Sequence, residues 1–205
     1  LRHVLAQMVL GHADSIRAVT EKIKHQVQRM APRASVSVLP VFIDPAPFAA
    51  VQRKPHEQKT ILWVGRFEDE KDPMAAIAMV HHMPETKLVM LGKGGQEDAL
   101  RAAAIGLPVE FPGWQDPKPY LAIADVVVST SRHESFGASI IEALAAGVPV
   151  VAPDVGIARA AGAIVVSREK MAEAVSDVLR SGVRGELALQ LPAAEEWARR
   201  WQETL

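Results

Sequence analysis

Six short apolar runs recur between residues 61 and 166, and they constrain the fold more than any other feature of the sequence. Most are continuous rather than alternating, which is typical of strands buried on both faces of a parallel sheet. The runs occupy 61–65, 87–92, 109–111, 126–130, 149–152 and 163–166. Helix-like stretches separate them at 73–82, 96–105, 117–123, 137–146 and 168–181. This alternation predicts an α/β domain built on a doubly wound parallel sheet.

The residues on either side of this pattern predict a division of the chain into four segments. We interpret these as the end of a preceding α/β domain at 1–39, a proline-rich linker at 40–58, the main domain at 59–182 and a helical tail at 183–205. Trp197 and Trp201 lie four residues apart, so they share one face of the tail helix and are expected to dock on the domain. Because the chain begins with Leu1 rather than Met, we expect it to be part of a longer protein.

The composition excludes several classes of function. The net charge is −1 and aromatic residues make up only 5% of the chain, so it offers neither a basic field nor a stacking platform for nucleic acid. The chain contains no cysteine, which rules out disulfides and thiolate metal sites and fits a reducing, cytoplasmic environment. None of its apolar runs reaches the roughly 18 residues that a membrane-spanning helix needs.

Two glutamates eight residues apart lie between the fourth and fifth apolar runs. Glu134 is predicted in a loop and Glu142 on the first turns of a helix, both at the carboxyl edge of the sheet, where open α/β sheets bind ligands. Backbone N–H groups at the helix start beside Gly137 suit a phosphate, whereas the two carboxylates suit hydroxyl groups. Together they indicate a sugar nucleotide. Taken alone, Glu142 remains open to interpretation as a surface residue of an amphipathic helix.

Two basic residues follow the first apolar run. Arg66 and Lys71 offer a forked donor and a point charge, which together suit a diphosphate. Because three acidic residues lie between them, the alternative of solvated loop charges stays open. After the second run, Gly92 begins a glycine-rich turn that allows close approach of a ligand, although a purely steric need for glycine explains it equally well. No metal-binding motif is present, and the adjacent His81 and His82 do not share a helix face.

Four stretches, taken in order, resemble the carboxyl-terminal, donor-binding domain of retaining group 1 glycosyltransferases, a GT4-like family with the GT-B fold. They are Gly-Arg-x4-Lys at 65–71, a strand ending in Gly-x-Gly at 88–94, Val-x-Phe-x-Gly to Ala-Asp-Val at 109–126, and Glu-x7-Glu at 134–142. The resemblance covers about 59–182. Residues 13–48 also resemble the last strand and linker of the family's first domain.

The resemblance implies a role for each matching residue. Arg66 and Lys71 would bind the donor diphosphate, and Glu142 would bind the ribose hydroxyls. Glu134, as the catalytic residue, would contact the transferred sugar. Backbone groups of Phe136, Gly137 and Ala138 would face the sugar and phosphates, and Gly92 and Gly113 would border the nucleobase. No metal or other cofactor is expected. Besides the nucleoside-diphosphate sugar, the expected partner is a glycan or lipid-linked acceptor bound through the first domain.

The resemblance also implies a setting. The full-length protein is expected in the cytoplasm, in peripheral contact with the inner face of the membrane, and active in polysaccharide biosynthesis. This chain alone is expected to lack transfer activity. The alternatives are a sugar-nucleotide-binding or epimerase-like GT-B protein without glycosyl transfer, and a glycosidase using both glutamates. A hydrolase has no diphosphate leaving group to neutralise, so the Arg66–Lys71 pair argues against the glycosidase.

Overall fold

The computed structural model describes residues 2–204 and divides them into two compact units. The larger unit is Pro45–Gln190, and the smaller one combines the residues up to Asp44 with those from Leu191 onward. The boundary after Asp44 therefore falls within the segment predicted to be a linker. The last residues of the chain group with its first residues.

The smaller unit is built around a parallel pair of short strands. Its elements are helix α1 (Arg2–Leu10), strand β1 (Ser15–Ala18), helix α2 (Glu21–Met30) and strand β2 (Ser35–Val38). The hydroxyl oxygen of Thr20 accepts a hydrogen bond from the N–H of Ile23 at 3.2 Å, which satisfies one of the free donors at the start of α2.

The larger unit alternates strands and helices, as the apolar runs predict. In chain order its elements are α3 (Ala46–Ala49), β3 (Thr60–Val64), α4 (Pro73–Val80), β4 (Lys87–Leu91), α5 (Glu97–Ala103), β5 (Val109–Gly113), α6 (Lys118–Leu121), β6 (Val126–Val128), α7 (Ala138–Ala145), β7 (Val150–Ala152), α8 (Ala158–Ala161), β8 (Ile164–Val165), a 3-10 turn (Arg168–Lys170) and α9 (Met171–Ser181). Within the described residues of the predicted helical tail at 183–205, the structure has one helix, α10 (Ala194–Gln202), which belongs to the smaller unit, and no helix at 183–193.

The six strands of the larger unit form one parallel sheet in the order β5-β4-β3-β6-β7-β8. Counted within the unit this order is 3-2-1-4-5-6, that of a doubly wound dinucleotide-binding fold, and it confirms the predicted fold class. The winding direction reverses between β3 and β6. At this switch point the connections leave the carboxyl edge toward opposite sides and open a crevice, the usual ligand position in such sheets.

The core lies on both faces of this sheet. Ile61, Leu62 and Trp63 of β3 are at most 2% exposed, and so are Val126 and Val128 of β6. Continuous rather than alternating apolar sequence follows from this two-sided burial. No helix within residues 2–204 combines the length and apolar character needed to cross a bilayer.

Candidate active site at the switch point of the sheet

A lysine and a glutamate from opposite sides of the switch point form an ion pair. Lys71 follows β3 and Glu134 follows β6, and Lys71 Nζ lies 2.5 Å from Glu134 Oε1. The same carboxylate oxygen accepts a hydrogen bond from the Ser131 hydroxyl at 2.9 Å. The two paired side chains are only 20% and 11% exposed, so water screens the pair weakly. Two residues predicted to bind diphosphate and sugar are thus in direct contact.

Arg66 lies on the same loop as Lys71 but has a different partner. Its guanidinium donates to the Glu70 carboxylate, and its side chain is 63% exposed. An exposed pair four residues apart contributes little to stability, so Arg66 remains free to exchange Glu70 for a ligand at low cost. Its predicted contact with a diphosphate stays a prediction.

The start of α7 places backbone donors at this edge. Gly137 precedes the helix with φ 106° and ψ 57°, a left-handed conformation that favours glycine. The first N–H groups of α7, beginning at Ala138, have no acceptor within the helix and carry its positive dipole end. Phe136 is 6% exposed, and its carbonyl oxygen accepts from the N–H of Ile157 at 2.9 Å, which fixes the loop. The helix start therefore carries backbone donors suited to an anion, and the predicted contact with phosphates stays a prediction.

Glu142 lies on the second turn of α7 and is half-buried. Burial raises the pKa of its carboxyl group, against the nearby positive charge of Lys118, which lowers it, while Asp116 raises it further. Among residues 2–204, no hydrogen bond or ion pair to this carboxylate is found. A half-buried carboxylate without such a partner is costly, and hydroxyl donors of a ligand would satisfy it.

Gly92 and Gly113 join the ends of β4 and β5. The N–H of Gly92 donates to the carbonyl oxygen of Gly113 at 3.0 Å. A Cβ atom on Gly92 would lie 1.9 Å from the carbonyl oxygen of Gly65, so the packing of strand ends by itself requires glycine there. Gly113 has φ 85°, which also favours glycine. Their predicted contact with a nucleobase remains a prediction.

A group of four residues behind Lys71 was not predicted. Asp72, Thr130, Arg132 and Arg168, here called the Asp72 cluster, are joined by hydrogen bonds and ion pairs. Arg168 is separated from Asp72 by 96 positions, so no local sequence pattern links them. Of these four residues, only Arg132 could have been suspected from the sequence, because it lies two residues before Glu134. In the part of the chain that the structure describes, no three His, Asp or Glu side chains form a group able to hold a metal ion.

The sheet order defines the larger unit as a doubly wound α/β domain, with the Lys71–Glu134 ion pair and the start of α7 at its switch point. The family described as "Glycosyl transferases group 1" has a model that matches residues 58–181, more than half of the chain. The chain belongs to this family of glycosyltransferase enzymes, and the predicted resemblance is confirmed at that level.

Curated relatives agree with this membership. The chain is 33% identical over 149 residues to a lipopolysaccharide core biosynthesis glycosyltransferase, LpsE, of Rhizobium meliloti, across 68% of this chain and 44% of the relative. It is 31% identical over 170 residues to a glycogen synthase of Mycobacterium tuberculosis, across 75% of this chain and 41% of the relative. The chain thus spans less than half the length of these relatives.

Solved structures share the fold at lower identity. Sucrose-phosphate synthase of Thermosynechococcus elongatus matches with a TM-score of 0.76 at 22% identity, over 99% of this chain and 57% of that one. Anabaena Alr3699/HepE in complex with UDP-glucose matches with a TM-score of 0.73 at 18% identity, over 87% of this chain and 57% of that one.

Proposed function

We propose that this chain carries the donor site of a retaining, GT4-like glycosyltransferase, which moves a sugar from a nucleoside-diphosphate sugar to a glycan or lipid-linked acceptor. The observation that carries this proposal is the Lys71–Glu134 ion pair, which lies at the switch point of the sheet in a chain that belongs to the glycosyltransferase family. It joins a cation suited to phosphate with a carboxylate suited to sugar hydroxyls, at the place where doubly wound sheets bind ligands.

The leaving group explains the need for cations. When the bond between the sugar and the β-phosphate breaks, negative charge develops on the departing nucleoside diphosphate. Lys71, Arg66 and the N–H groups beside Gly137 and Ala138 offset this charge from fixed positions, which lowers the barrier. In this proposal the two cations and the helix start alone stabilise the charge on the leaving diphosphate, and neither a metal ion nor another cofactor takes part.

The two glutamates have separate roles in this proposal. Glu134 contacts the transferred sugar while it remains close to Lys71, so it acts at the reacting bond. Glu142 accepts hydrogen bonds from the ribose hydroxyls, and Phe136 positions the loop between the two. Gly92 and Gly113 border the nucleobase at the ends of β4 and β5.

UDP is the first nucleotide to test, because HepE has been solved with UDP-glucose and the TarM structure of S. aureus with UDP. The acceptor is bound by residues outside the Pro45–Gln190 unit, and the whole protein works in the cytoplasm against the inner face of the membrane. These assignments rest on the family resemblance and on the length of the relatives.

The decisive experiment measures binding of UDP, GDP and ADP to the chain by thermal shift, with and without EDTA. A nucleotide at 100 times its Kd stabilises the folded state by about 2.7 kcal/mol, and EDTA should leave that effect unchanged. Lys71→Met should abolish most of it. Lys87→Met is the control, because the Lys87 side chain is 25% exposed and also pairs with a glutamate, Glu110 at 2.7 Å, but at the start of β4.

Two results would contradict the proposal. If none of the three nucleotides at millimolar concentration stabilises the chain, the donor site is wrong. If the full-length protein only epimerises or hydrolyses the sugar nucleotide that binds, without moving its sugar to an acceptor, the donor site stands but the transferase reaction is wrong.

A further inference from the structure

Asp72 holds an unusual backbone conformation beside the switch-point ion pair. Its φ of 46° and ψ of 55° are left-handed, and among residues 2–204 it is the one non-glycine residue with positive φ. Such a conformation is unfavourable for a residue with a side chain and persists where the surroundings enforce it. Asp72 connects Lys71 directly to Pro73, the first residue of α4.

The side chain of Asp72 is held by two arginines. Its carboxylate oxygen Oδ2 accepts hydrogen bonds from Arg132 Nε at 3.1 Å and from the guanidinium of Arg168, and Arg132 Nη2 lies 3.0 Å away as part of the ion pair. The Asp72 side chain is only 13% exposed, so water shields the carboxylate weakly, whereas the Arg132 side chain is 62% exposed. Arg168 also donates to the carbonyl oxygen of Thr130 at 2.5 Å.

The backbone around Lys71 is fastened to the opposite side of the switch point. The fully buried Thr130 hydroxyl lies 2.9 Å from the carbonyl oxygen of Lys71 and 2.8 Å from that of Asp72. It also accepts the indole N–H of Trp63 at 2.9 Å. The N–H of Arg132 donates to the carbonyl oxygen of Glu70 at 2.8 Å. The residues after β3 are thus tied to those after β6 by side chain and backbone alike.

This arrangement fixes the backbone of Lys71 but leaves its ammonium group to contact Glu134. Within residues 2–204, no side chain of the Asp72 cluster bonds to Lys71 Nζ. The Thr130 hydroxyl bonds to the Lys71 carbonyl oxygen, and the two arginines bond to the carboxylate of the next residue, Asp72. A lysine ammonium group sits on a flexible four-carbon stem that loses rotamer entropy when it binds a phosphate. A fixed backbone removes the additional cost of ordering the turn at the same time.

We propose that Asp72 and Arg168 are positioning residues that hold Lys71 in place for the donor diphosphate. This inference rests on the proposed function, because it assumes that Lys71 binds the diphosphate. It assigns the strained turn at Asp72 to ligand binding rather than to stability of the fold.

The direction in which Asp72→Asn changes diphosphate affinity distinguishes a positioning role of Asp72 from a purely electrostatic one. Asp72→Asn removes a negative charge close to Lys71, so by charge alone the variant should bind an anionic ligand more tightly. If Asp72 positions Lys71, the variant should bind more weakly, because Arg132 and Arg168 lose the carboxylate that holds the turn.

The test is calorimetric titration of the 205-residue chain. The ligands are whichever of UDP, GDP and ADP stabilises the wild-type chain most, and its parent nucleoside. Asp72→Asn and Asp72→Gly should each weaken diphosphate binding about tenfold and leave nucleoside binding unchanged. Glycine accepts positive φ without strain but lacks the carboxylate, so Asp72→Gly should melt at a higher temperature than Asp72→Asn. Asp177→Asn, which breaks a surface pair with Arg180, is the matched control and should change neither affinity.

Arg168 gives an independent check. Arg168→Gln should weaken diphosphate binding to a similar extent, Arg168→Lys should restore part of it, and the Asp72→Asn/Arg168→Gln double variant should lose no more than either single variant. Unchanged or tighter diphosphate binding in Asp72→Asn overturns the positioning role, and so does an equal loss of nucleoside binding. If the wild-type chain binds none of the diphosphates, the proposed function falls together with this inference.

Discussion

Glu134 and Glu142 show how two identical side chains eight residues apart acquire different properties from their surroundings. Glu134 is held by Lys71 and Ser131, so its negative charge is matched by a positive one. Glu142 is half-buried without a direct partner among the described residues, and burial raises the pKa of its carboxyl group. A paired carboxylate suits charge stabilisation at a reacting bond, whereas an unsatisfied one suits capture of neutral hydroxyls.

Glu142→Gln should stabilise the chain at neutral pH and weaken nucleotide binding. A carboxyl group whose pKa is raised by folding binds more protons in the folded state than in the unfolded state. Its contribution to the free energy of unfolding therefore falls as pH rises from the ordinary value of 4.5 through the raised pKa. Glutamine removes this loss, so the variant should melt higher at pH 7 and show less decline across that window.

Calorimetry on the same variant checks the binding half of this prediction. Loss of hydrogen bonds between ribose hydroxyls and a charged group costs about 1.5–3 kcal/mol, so affinity should fall about tenfold or more. Unchanged affinity for the nucleoside diphosphate would show that Glu142 does not contact the ribose.

Glu134→Gln should separate binding from transfer. Because the neutral amide releases Lys71 from its ion pair, affinity for the nucleoside diphosphate should stay within about threefold of the wild type or increase. Sugar transfer by the full-length protein should fall at least about 100-fold, the usual cost of losing a charge aimed at the transition state. Titration and initial-rate measurements check the two effects, and an equal loss of nucleotide affinity in the Glu134 and Glu142 variants would contradict separate roles.

At the scale of elements, α7 combines a structural and a functional end. Gly137 and Gly147 flank this helix with φ values of 106° and 73°, and both conformations disfavour any side chain. Only Gly137 lies at the carboxyl edge of the sheet, where the free N–H groups of the helix start face the proposed diphosphate. The two glycines therefore differ in expected function but not in backbone cost.

Gly137→Ala should reduce both stability and nucleotide affinity, whereas Gly147→Ala should reduce stability alone. A left-handed conformation costs a non-glycine residue about 1–2 kcal/mol, so each variant should lose roughly that much in the free energy of unfolding. At Gly137 the added Cβ also lies 3.2 Å from Ile140 Cδ1, while nothing lies within 4 Å of it at Gly147. Urea unfolding and UDP titration of both variants check this, and equal affinities would remove the helix start from the site.

The elements that could be predicted are those fixed by local sequence. Strands β3, β4, β6 and β7 follow from continuous apolar runs, because two-sided burial requires apolar side chains at nearly every position, whereas the edge strands β5 and β8 are only partly buried. The short helices α3 and α8 were missed, since four residues are too few to show a helical period. The stretch at 183–193, which runs through the end of the larger unit, was predicted as part of a helical tail but contains no helix or strand.

In the candidate site too, only the features fixed by local sequence could be predicted. Lys71 and Glu134 could be placed at one sheet edge, because each follows an apolar run of a parallel sheet. Their ion pair depends on the strand order, which puts β3 beside β6. The Asp72 cluster could not be predicted, since Arg168 reaches it only after the chain has crossed β7 and β8.

For the whole molecule, the two tryptophans of α10 belong to the smaller unit. The indole N–H of Trp197 donates to the carbonyl oxygen of Pro40 at 2.7 Å, and its ring lies 5.8 Å from that of Phe42. The guanidinium of Arg17 lies 4.2 Å from the ring centre of Trp201. The two residues share a face, as their spacing predicts, and they pack against residues near the start of the chain. These contacts join residues 197–201 to residues 17–42, so the packing of the smaller unit needs both segments.

The acid stability of the larger unit should depend on Asp125, at the amino edge of the sheet opposite the candidate site. Burial acts to raise the pKa of this carboxyl group, but hydrogen bonds from the His56 ring at 2.8 Å and the Thr60 N–H at 2.8 Å outweigh it and hold the pKa below its ordinary value. Lys59 Nζ adds a positive charge at 3.4 Å. A group with a lowered folded pKa stabilises the protein above its unfolded pKa and loses that contribution as pH falls through the folded pKa.

Asp125→Asn should therefore lower the melting temperature at pH 7 and flatten the decline of stability below the ordinary pKa of 3.8. Asparagine keeps an acceptor for the Thr60 N–H but loses the charge, so the free energy of unfolding should drop by about 2 kcal/mol and the melting temperature by roughly 4–8 °C. Asp177→Asn is the control, because its pair with Arg180 is exposed. Affinity for the nucleotide should not change, because this edge lies at the opposite ends of the strands from Lys71. An unaltered melting profile would show that the three contacts of Asp125 make no net contribution to the stability of the fold.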